Sequence, residues 1–142
     1  MIESRLCSRI TGMGLAEKRK IKELQDTTIP EREAELLEIT GAPIRYDIDW
    51  ESLSSDEAGL NFLDNLSCHR LNMALRVICS DSLGREAVAE GLKSVKLKNV
   101  ATPDMRKLSF AGGTLEMHCA YAQGTSGYHS DGEIRAVLMQ GL

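Results

Sequence analysis

Apolar residues are most concentrated between Gly59 and Cys79, where they spread round a helix farther than one buried face requires. At about 100° per residue, they cover roughly 240° of the helical wheel. One polar seam remains, formed by Asn61, Asn65, His69, Asn72 and Arg76. We therefore expect a long helix that is covered on more than one side, as the central element of the fold or at a contact between subunits.

Two more helices and a strand are predicted ahead of this long helix. The composition between Leu15 and Thr27 favours a helix, and Pro30 favours a second one because proline fits a first helical turn. Gly41 ends that second helix, so we expect two helices joined by a tight corner. Residues 44–50 then alternate apolar and polar side chains, which is typical of a strand with one buried face.

A hairpin is the clearest feature of the second half of the chain. Alternating segments at 106–111 and 114–121 flank Gly112-Gly113, and two glycines at this place are typical of a two-residue turn. The resulting register sets apolar against apolar and polar against polar residues: Phe110 with Leu115, Leu108 with Met117, Ser109 with Glu116, and Lys107 with His118.

Capping signals and further alternation complete the order of elements. Ser54 to Glu57 has capping-box spacing ahead of the long helix, and Ser130 to Glu133 has it ahead of a last helix. Residues 83–92 predict a short helix and residues 94–100 a strand. The order α-α-β-α-α-β-β-β-α predicts an α+β fold, with a mainly antiparallel four-stranded sheet and helices packed on one face.

Length and composition fit one ordinary domain. The chain has 142 residues, of which 42% are apolar and 27% charged, and this length is enough for one hydrophobic core. We assign residues 14–142 to a single α+β domain and interpret residues 1–13, which show no sustained period, as an N-terminal arm. The four cysteines lack CxxC spacing and are interpreted as reduced thiols.

A cytoplasmic location without a membrane partner is expected. The first residues lack the continuous apolar region of a secretory signal. Asp64, Arg70 and Arg76 interrupt the most apolar stretch, so no segment reaches the length that crosses a bilayer.

Net charge argues against nucleic acid as a partner. The charge of −4 and the pI of about 5.4 are unlike those of most nucleic-acid-binding domains. The strongest basic segment, Lys18 to Lys22, is flanked by Glu17 and Glu23 and indicates an exposed helix face. A nucleic-acid contact through this segment with Lys96 and Lys98 is the least favoured alternative.

Two Cys-His neighbours, Cys68-His69 and His118-Cys119, are the candidates for metal or nucleophile chemistry. In each pair the predicted element turns the two side chains to different faces. Metal binding and Cys–His catalysis both need side chains that converge. We therefore expect buried thiols and exposed imidazoles, with no catalytic residue, no metal site and no cofactor.

The glycine-bearing loop 123–131 is the candidate for binding a small ligand. It leads into the amino end of a helix, where free N–H groups can hold an anion. The candidate ligand-binding residues are Tyr128 and His129 in this loop, with Glu116 and His118 on the polar face of the sheet. The alternative is a flexible connection without a binding role.

The polar seam of the long helix is the candidate partner-binding surface. Asparagine is unfavourable inside helices, yet Asn61, Asn65 and Asn72 line up there with His69 and Arg76. Their amides can both donate and accept hydrogen bonds to a partner. The alternative is that a helix covered on most sides keeps one polar stripe in solvent.

These patterns lead to two functional hypotheses. The first is a small cytoplasmic non-catalytic binding or adaptor protein with a protein partner, which self-associates as a homodimer through the long helix or the last helix. The alternative is a small-ligand-binding protein or an enzyme, with its pocket between residues 123–131 and the polar face of the sheet.

Overall fold

Two long helical stretches form most of the helical layer. The structure, a computed structural model, describes residues 14–142; the predicted N-terminal arm lies outside the described residues. Each stretch consists of two α-helices joined without a break by a five-residue π-helical segment. The helices are α1 (Leu15–Glu23) and α2 (Ile29–Thr40) in the first stretch, and α3 (Glu57–Leu63) and α4 (His69–Ile78) in the second.

The remaining elements follow in the order that the sequence predicts. Two further helices are α5 (Ser82–Gly91) and α6 (Asp131–Gly141). The strands are β1 (Arg45–Ile48), β2 (Ser94–Asn99), β3 (Lys107–Ala111) and β4 (Thr114–Cys119). Short 3₁₀ turns connect several of these elements, among them Trp50–Leu53 and Tyr121–Ser126.

The prediction of a mainly antiparallel sheet is wrong, because the four-stranded sheet is mixed. The strand order is β1-β2-β4-β3, in which β1, β2 and β4 are parallel and only β3 is antiparallel to its neighbour. The chain between β1 and β2 runs through α3, α4 and α5, and a helical crossover of this kind returns the next strand parallel to the first. Alternation along a strand carries no information about this order.

The predicted hairpin is confirmed together with its register. β3 and β4 pair Phe110 with Leu115 and Leu108 with Met117. Gly112 and Gly113 both have positive φ, 60° and 82°, which a two-residue turn between such strands requires.

The predicted tight corner between the first two helices is absent, because a π-helical segment, Leu24–Thr28, carries the helix through it. The N–H of Ile29 donates to the carbonyl of Leu24, five residues earlier. Pro30 lacks an N–H, and the wider turn accommodates this loss without ending the helix. Gly41, with φ 77°, ends the stretch as predicted.

A second π-helical segment, Asp64–Cys68, changes the predicted wheel of the long helix. The N–H of His69 donates to the carbonyl of Asp64, so one turn holds an additional residue. The predicted wheel assumes a uniform rotation of about 100° per residue. Residues before and after this turn therefore face directions that the predicted wheel does not give. Asp56, rather than the predicted Ser54, caps the helix by accepting from Gly59 N at 2.8 Å.

The core lies between the helices and one face of the sheet. Tyr46, Val95, Leu97, Leu115 and Met117 point into it from the strands and are buried. Alternate residues on the same strands face outwards. None of the helices within residues 14–142 combines the length and the apolar character that crossing a bilayer needs.

Candidate binding surfaces

The outward face of the sheet carries most of its charge in two rows that cross the strands. In one row, Asp47 on β1 lies beside Lys96 on β2, which lies beside Glu116 on β4. In the next row, Lys98 on β2 lies beside His118 on β4, which faces Lys107 on β3. We name this region the charged sheet face: Asp47, Lys96, Lys98, Lys107, Glu116 and His118.

An open groove of about 320 Å³ lies on the charged sheet face. Two of the four predicted ligand-binding residues, Glu116 and His118, line it together with both lysines of β2. The Glu116 carboxylate lies 3.4 Å from Lys107 Nζ and 3.3 Å from His118 Nε2. The hydrogen bond from Lys107 lowers the pKa of Glu116 below its ordinary value.

His118 is held towards its neutral form. Partial burial is the largest cause that lowers its pKa below 6.5, and the charges of Lys107 and Lys98 lower it further. The Glu116 carboxylate acts in the opposite direction without cancelling these effects. An additional negative charge in the groove would therefore favour protonation of this imidazole.

The other two predicted ligand-binding residues lie elsewhere. His129 is 5% exposed, and its Nε2 lies 3.1 Å from the backbone carbonyl oxygen of His118. The ring of Tyr128 lies under the guanidinium of Arg70, 5.0 Å from its centroid. Loop 123–131 therefore ties β4 to its surroundings, and neither of these side chains lines the groove.

The predicted partner-binding seam is divided by the second π-helical segment. Asn61, Asn65 and Arg76 are exposed and His69 is half-buried. Asn72 is fully buried and binds within the chain. The seam therefore offers a partner one exposed amide before the π turn, one within it, and Arg76 after it.

Asn72 belongs to a polar network between α2, the long helix and β1. Its amide nitrogen donates to Glu35 Oε1 at 2.8 Å, and its amide oxygen accepts from the Tyr46 hydroxyl at 2.7 Å. Arg32 donates to both carboxylate oxygens of Asp64, at 2.7 and 2.9 Å, and to Glu35 at 3.0 Å. These bonds satisfy polar groups that would otherwise destabilise the fold.

Arg32 and Glu35 are both stabilised in their charged forms within this network. The hydrogen bond to Asp64 is the main cause that raises the pKa of Arg32. Burial acts to raise the pKa of Glu35, but hydrogen bonds from Asn72 and Arg32 outweigh it and lower that pKa below 4.5. The sequence pattern does not reveal this network, because Arg32 and Glu35 lie far from Asp64 and Asn72 along the chain.

An apolar groove of about 510 Å³ lies where α4, α5 and α6 meet. Val77, Leu83 and Met139 are 52%, 77% and 68% exposed on it. We define the apolar groove by its six principal apolar residues: Val77, Ile78, Leu83, Ala87, Met139 and Leu142. The long helix and the last helix, which the sequence analysis names for self-association, both contribute to it.

Gly84 allows α5 to approach the end of α4 at the base of the apolar groove. A Cβ at this position would lie 1.8 Å from the carbonyl oxygen of Ile78, so only glycine fits without a backbone shift. Asp81 caps α5 by accepting from Gly84 N at 2.7 Å. The sequence shows that Leu83 and Met139 are apolar, but their exposure depends on how the three helices meet.

The cysteine thiols within the described residues are free, and two of them are buried. Burial raises the pKa of Cys68 to about 12 and that of Cys119 to about 11. Since the thiolate is the reactive form, both are poor nucleophiles near neutral pH. Within residues 14–142, no three or more His, Cys, Asp or Glu side chains are placed so that they could hold a metal ion together.

Comparison of this chain with protein-family models, with curated proteins and with solved structures gave no match.

Proposed function

We propose that this chain is a small non-catalytic binding protein that self-associates through the apolar groove. The observation that carries the proposal is the clustering of Val77, Leu83 and Met139, each more than half exposed, on one surface. Fully burying a Leu or Met side chain contributes roughly 1.5–3 kcal/mol. Contiguous apolar surface of this kind is typical of protein contact sites.

A second copy of the chain fits this surface because a twofold contact uses the same patch on both partners. Such a contact needs projecting and receding parts within one patch. Leu83 and Met139 supply the projecting side chains, and the groove between α4 and α5 supplies the recess. Leu83 of one copy can therefore enter the groove of the other while the reverse contact forms.

Few charged groups lie on the apolar groove itself. The chain carries a net charge of −4, so two copies repel each other at long range. Asp81 is the charged residue that lines the groove, and its carboxylate already accepts the hydrogen bond that caps α5. Removal of Leu83 and Met139 from water therefore brings few charged groups together.

The chemistry of the thiols supports a binding role and a cytoplasmic location. Cys68 and Cys119 are buried as neutral thiols, and His129 is bonded to a backbone carbonyl rather than to a nucleophile. Free thiols are typical of reducing compartments. The partner that we propose is another copy of the chain.

Sedimentation equilibrium of wild type, Leu83→Glu and Leu37→Glu tests the proposal. Leu37 on α2 is 50% exposed and lies outside the apolar groove, so its replacement is the matched control. We expect a concentration-dependent dimer for wild type and Leu37→Glu, and a monomer for Leu83→Glu with unchanged helix content. A monomeric wild type, or equal dissociation of both variants, would contradict the proposal.

Binding of a small ligand on the charged sheet face is the second candidate function. The observation that favours it is the open groove lined by Glu116 and His118. The proton resonances of the His118 ring provide its test, because a ligand in the groove shifts them directly. If no class of ligand shifts these resonances, this candidate function is wrong. The proposal of self-association does not depend on that result.

A further inference from the structure

Two lysines on the central strand β2 distinguish the charged sheet face from an ordinary polar surface. Within residues 14–142, neither Lys96 nor Lys98 forms an ion pair, although carboxylates lie on neighbouring strands. The nearest candidate on β4, Glu116, is already shared by Lys107 and His118. The groove therefore contains two lysine ammonium groups that form no ion pair among the described residues, while its lining also includes the carboxylates of Asp47, Asp49 and Glu116.

The acidic side of the groove is also partly engaged. The carboxylate of Asp49 accepts from Ser52 N at 3.2 Å and so caps the 3₁₀ turn after β1. This hydrogen bond does not remove the negative charge of Asp49, which lines the groove with Asp47. Asp47 lies beside Lys96 rather than Lys98. The row of Lys98, His118 and Lys107 contains two ammonium groups, whereas the row of Asp47, Lys96 and Glu116 contains one ammonium group and two carboxylates. Positive charge is therefore strongest along the first of these rows.

The spacing of these groups fits one small ligand. Lys96 and Lys98 are two residues apart on one face of β2, so their Cα atoms are separated by about 7 Å. Their flexible side chains can converge on one anion. His118 and Lys107 continue the row across β4 and β3, and a groove of about 320 Å³ has the size of a small-molecule site.

We propose that this groove binds a small dianion of the phosphate type, with Lys96 and Lys98 supplying charge and His118 donating a hydrogen bond. The inference rests on the second candidate function and is independent of self-association. Glu116 stays paired with Lys107, so it opposes the anion less than an unpaired carboxylate would. A phosphomonoester and free phosphate share this chemistry.

Proton NMR of the His118 ring, with inorganic phosphate as the probe, tests the proposal. A bound dianion favours the imidazolium form, so phosphate should raise the pKa of His118 more than sodium chloride at equal ionic strength does. The charged groups that face His118 are Lys98 on β2, Lys107 on β3 and Glu116 on its own strand. Resonances of His69 and His129, which lie off the groove, serve as references.

Three variants assign the effect to the groove. The double replacement Lys96→Met and Lys98→Met should weaken phosphate binding roughly tenfold or more, since two nearby charges are lost. A matched loss of two charges, Lys18→Met and Lys22→Met on α1, should leave binding unchanged, because α1 packs against α3 in the helical layer. Glu116→Gln should strengthen binding roughly threefold by removing a negative charge, a gain that misfolding cannot produce.

The results distinguish failure of the phosphate proposal from failure of ligand binding on the charged sheet face. Replacing phosphate by a phosphomonoester, and finding equal or tighter binding, would support the inference and define the ligand further. A His118 response to an organic diamine but not to phosphate would overturn the inference and keep a ligand site on the sheet. A response to neither probe, or an equal phosphate response in the Lys96 and Lys98 double variant, would overturn it as well.

Discussion

The long helix meets two different environments along its length. In its middle, Leu63, Leu66 and Leu71 are buried by other parts of the same chain. At its end, Val77 is 52% exposed, although the sequence pattern predicts it within the same apolar arc. Both regions carry aliphatic side chains, and what differs is their surroundings. The middle is covered by neighbouring elements, and the end borders the apolar groove.

Apolar residues on this helix therefore have two different roles. Those in the middle stabilise the single chain, and their loss leaves a cavity. Those at the end contribute little to one copy, and we propose that they are covered when a second copy associates. Replacements in the two regions should therefore differ in the free energy of unfolding and in self-association.

The largest effect is expected at the covered middle. Leu71→Ala should lower the free energy of unfolding by about 2–5 kcal/mol, because a fully buried leucine is replaced by a cavity. Val77→Ala, at the exposed end, should change the unfolding of the monomer by less than about 0.5 kcal/mol. Urea unfolding at a concentration that keeps the chain monomeric measures both. Similar losses of unfolding free energy for the two variants would contradict the distinction between the covered middle and the exposed end.

A smaller effect is expected from the ion pair that ties α2 to the long helix. Asp64→Asn keeps the shape of the side chain but removes the charge that Arg32 contacts at 2.7 and 2.9 Å, and should cost about 1–3 kcal/mol. The exposed pair Lys22–Asp26, at 3.0 Å, provides the control, and Asp26→Asn should cost about 0.5 kcal/mol or less. Equal costs in thermal unfolding would show that Asp64 is no better sheltered than the exposed pair.

The smallest effect is expected in the pH dependence of stability. The pKa of Glu35 is lower in the folded chain than its ordinary value of 4.5, so its contribution is complete above that value. The contribution is lost as the pH falls from that value through the lowered pKa. Glu35→Gln should therefore flatten the acid side of the stability profile, measured by urea unfolding between neutral and acidic pH. An unchanged acid slope would contradict the assigned role of Glu35.

Local features of the fold follow from the sequence because short-range physics decides them. The register of the β3–β4 hairpin follows from two glycines and from the alternation of Leu108, Phe110 and their partners. The cap of α6 follows from Ser130 and Glu133, whose side chains bond the helix start as predicted. In each case the interacting groups lie within a few residues of one another.

Long-range features do not follow from the sequence in the same way. The parallel pairing of β1 with β2 depends on a crossover through three helices, which alternation along a strand does not encode. The π turn at Asp64–Cys68 is specified by no local signal that we identified, yet Asn72 beyond it is buried while Asn65 within it is exposed.

The candidate surfaces also combine features that local sequence determines with features that depend on long-range packing. Glu116 and His118 share a face because they are two residues apart on one strand, so their proximity follows from strand geometry. Lys96 and Lys98 join them only because β2 lies beside β4, which is a property of the sheet order. The exposure of Leu83 and Met139 depends on how α5 and α6 pack, and no local pattern determines it.

Methyl NMR of the methionines during dilution tests self-association through the apolar groove most directly. Met139 is 68% exposed on the groove, and Met105 is 54% exposed outside it and serves as the internal control. The account predicts that the Met139 methyl resonance moves between millimolar and micromolar concentration while that of Met105 stays fixed. A Met139 resonance that does not change with concentration, or equal shifts of both methyl groups, would contradict it.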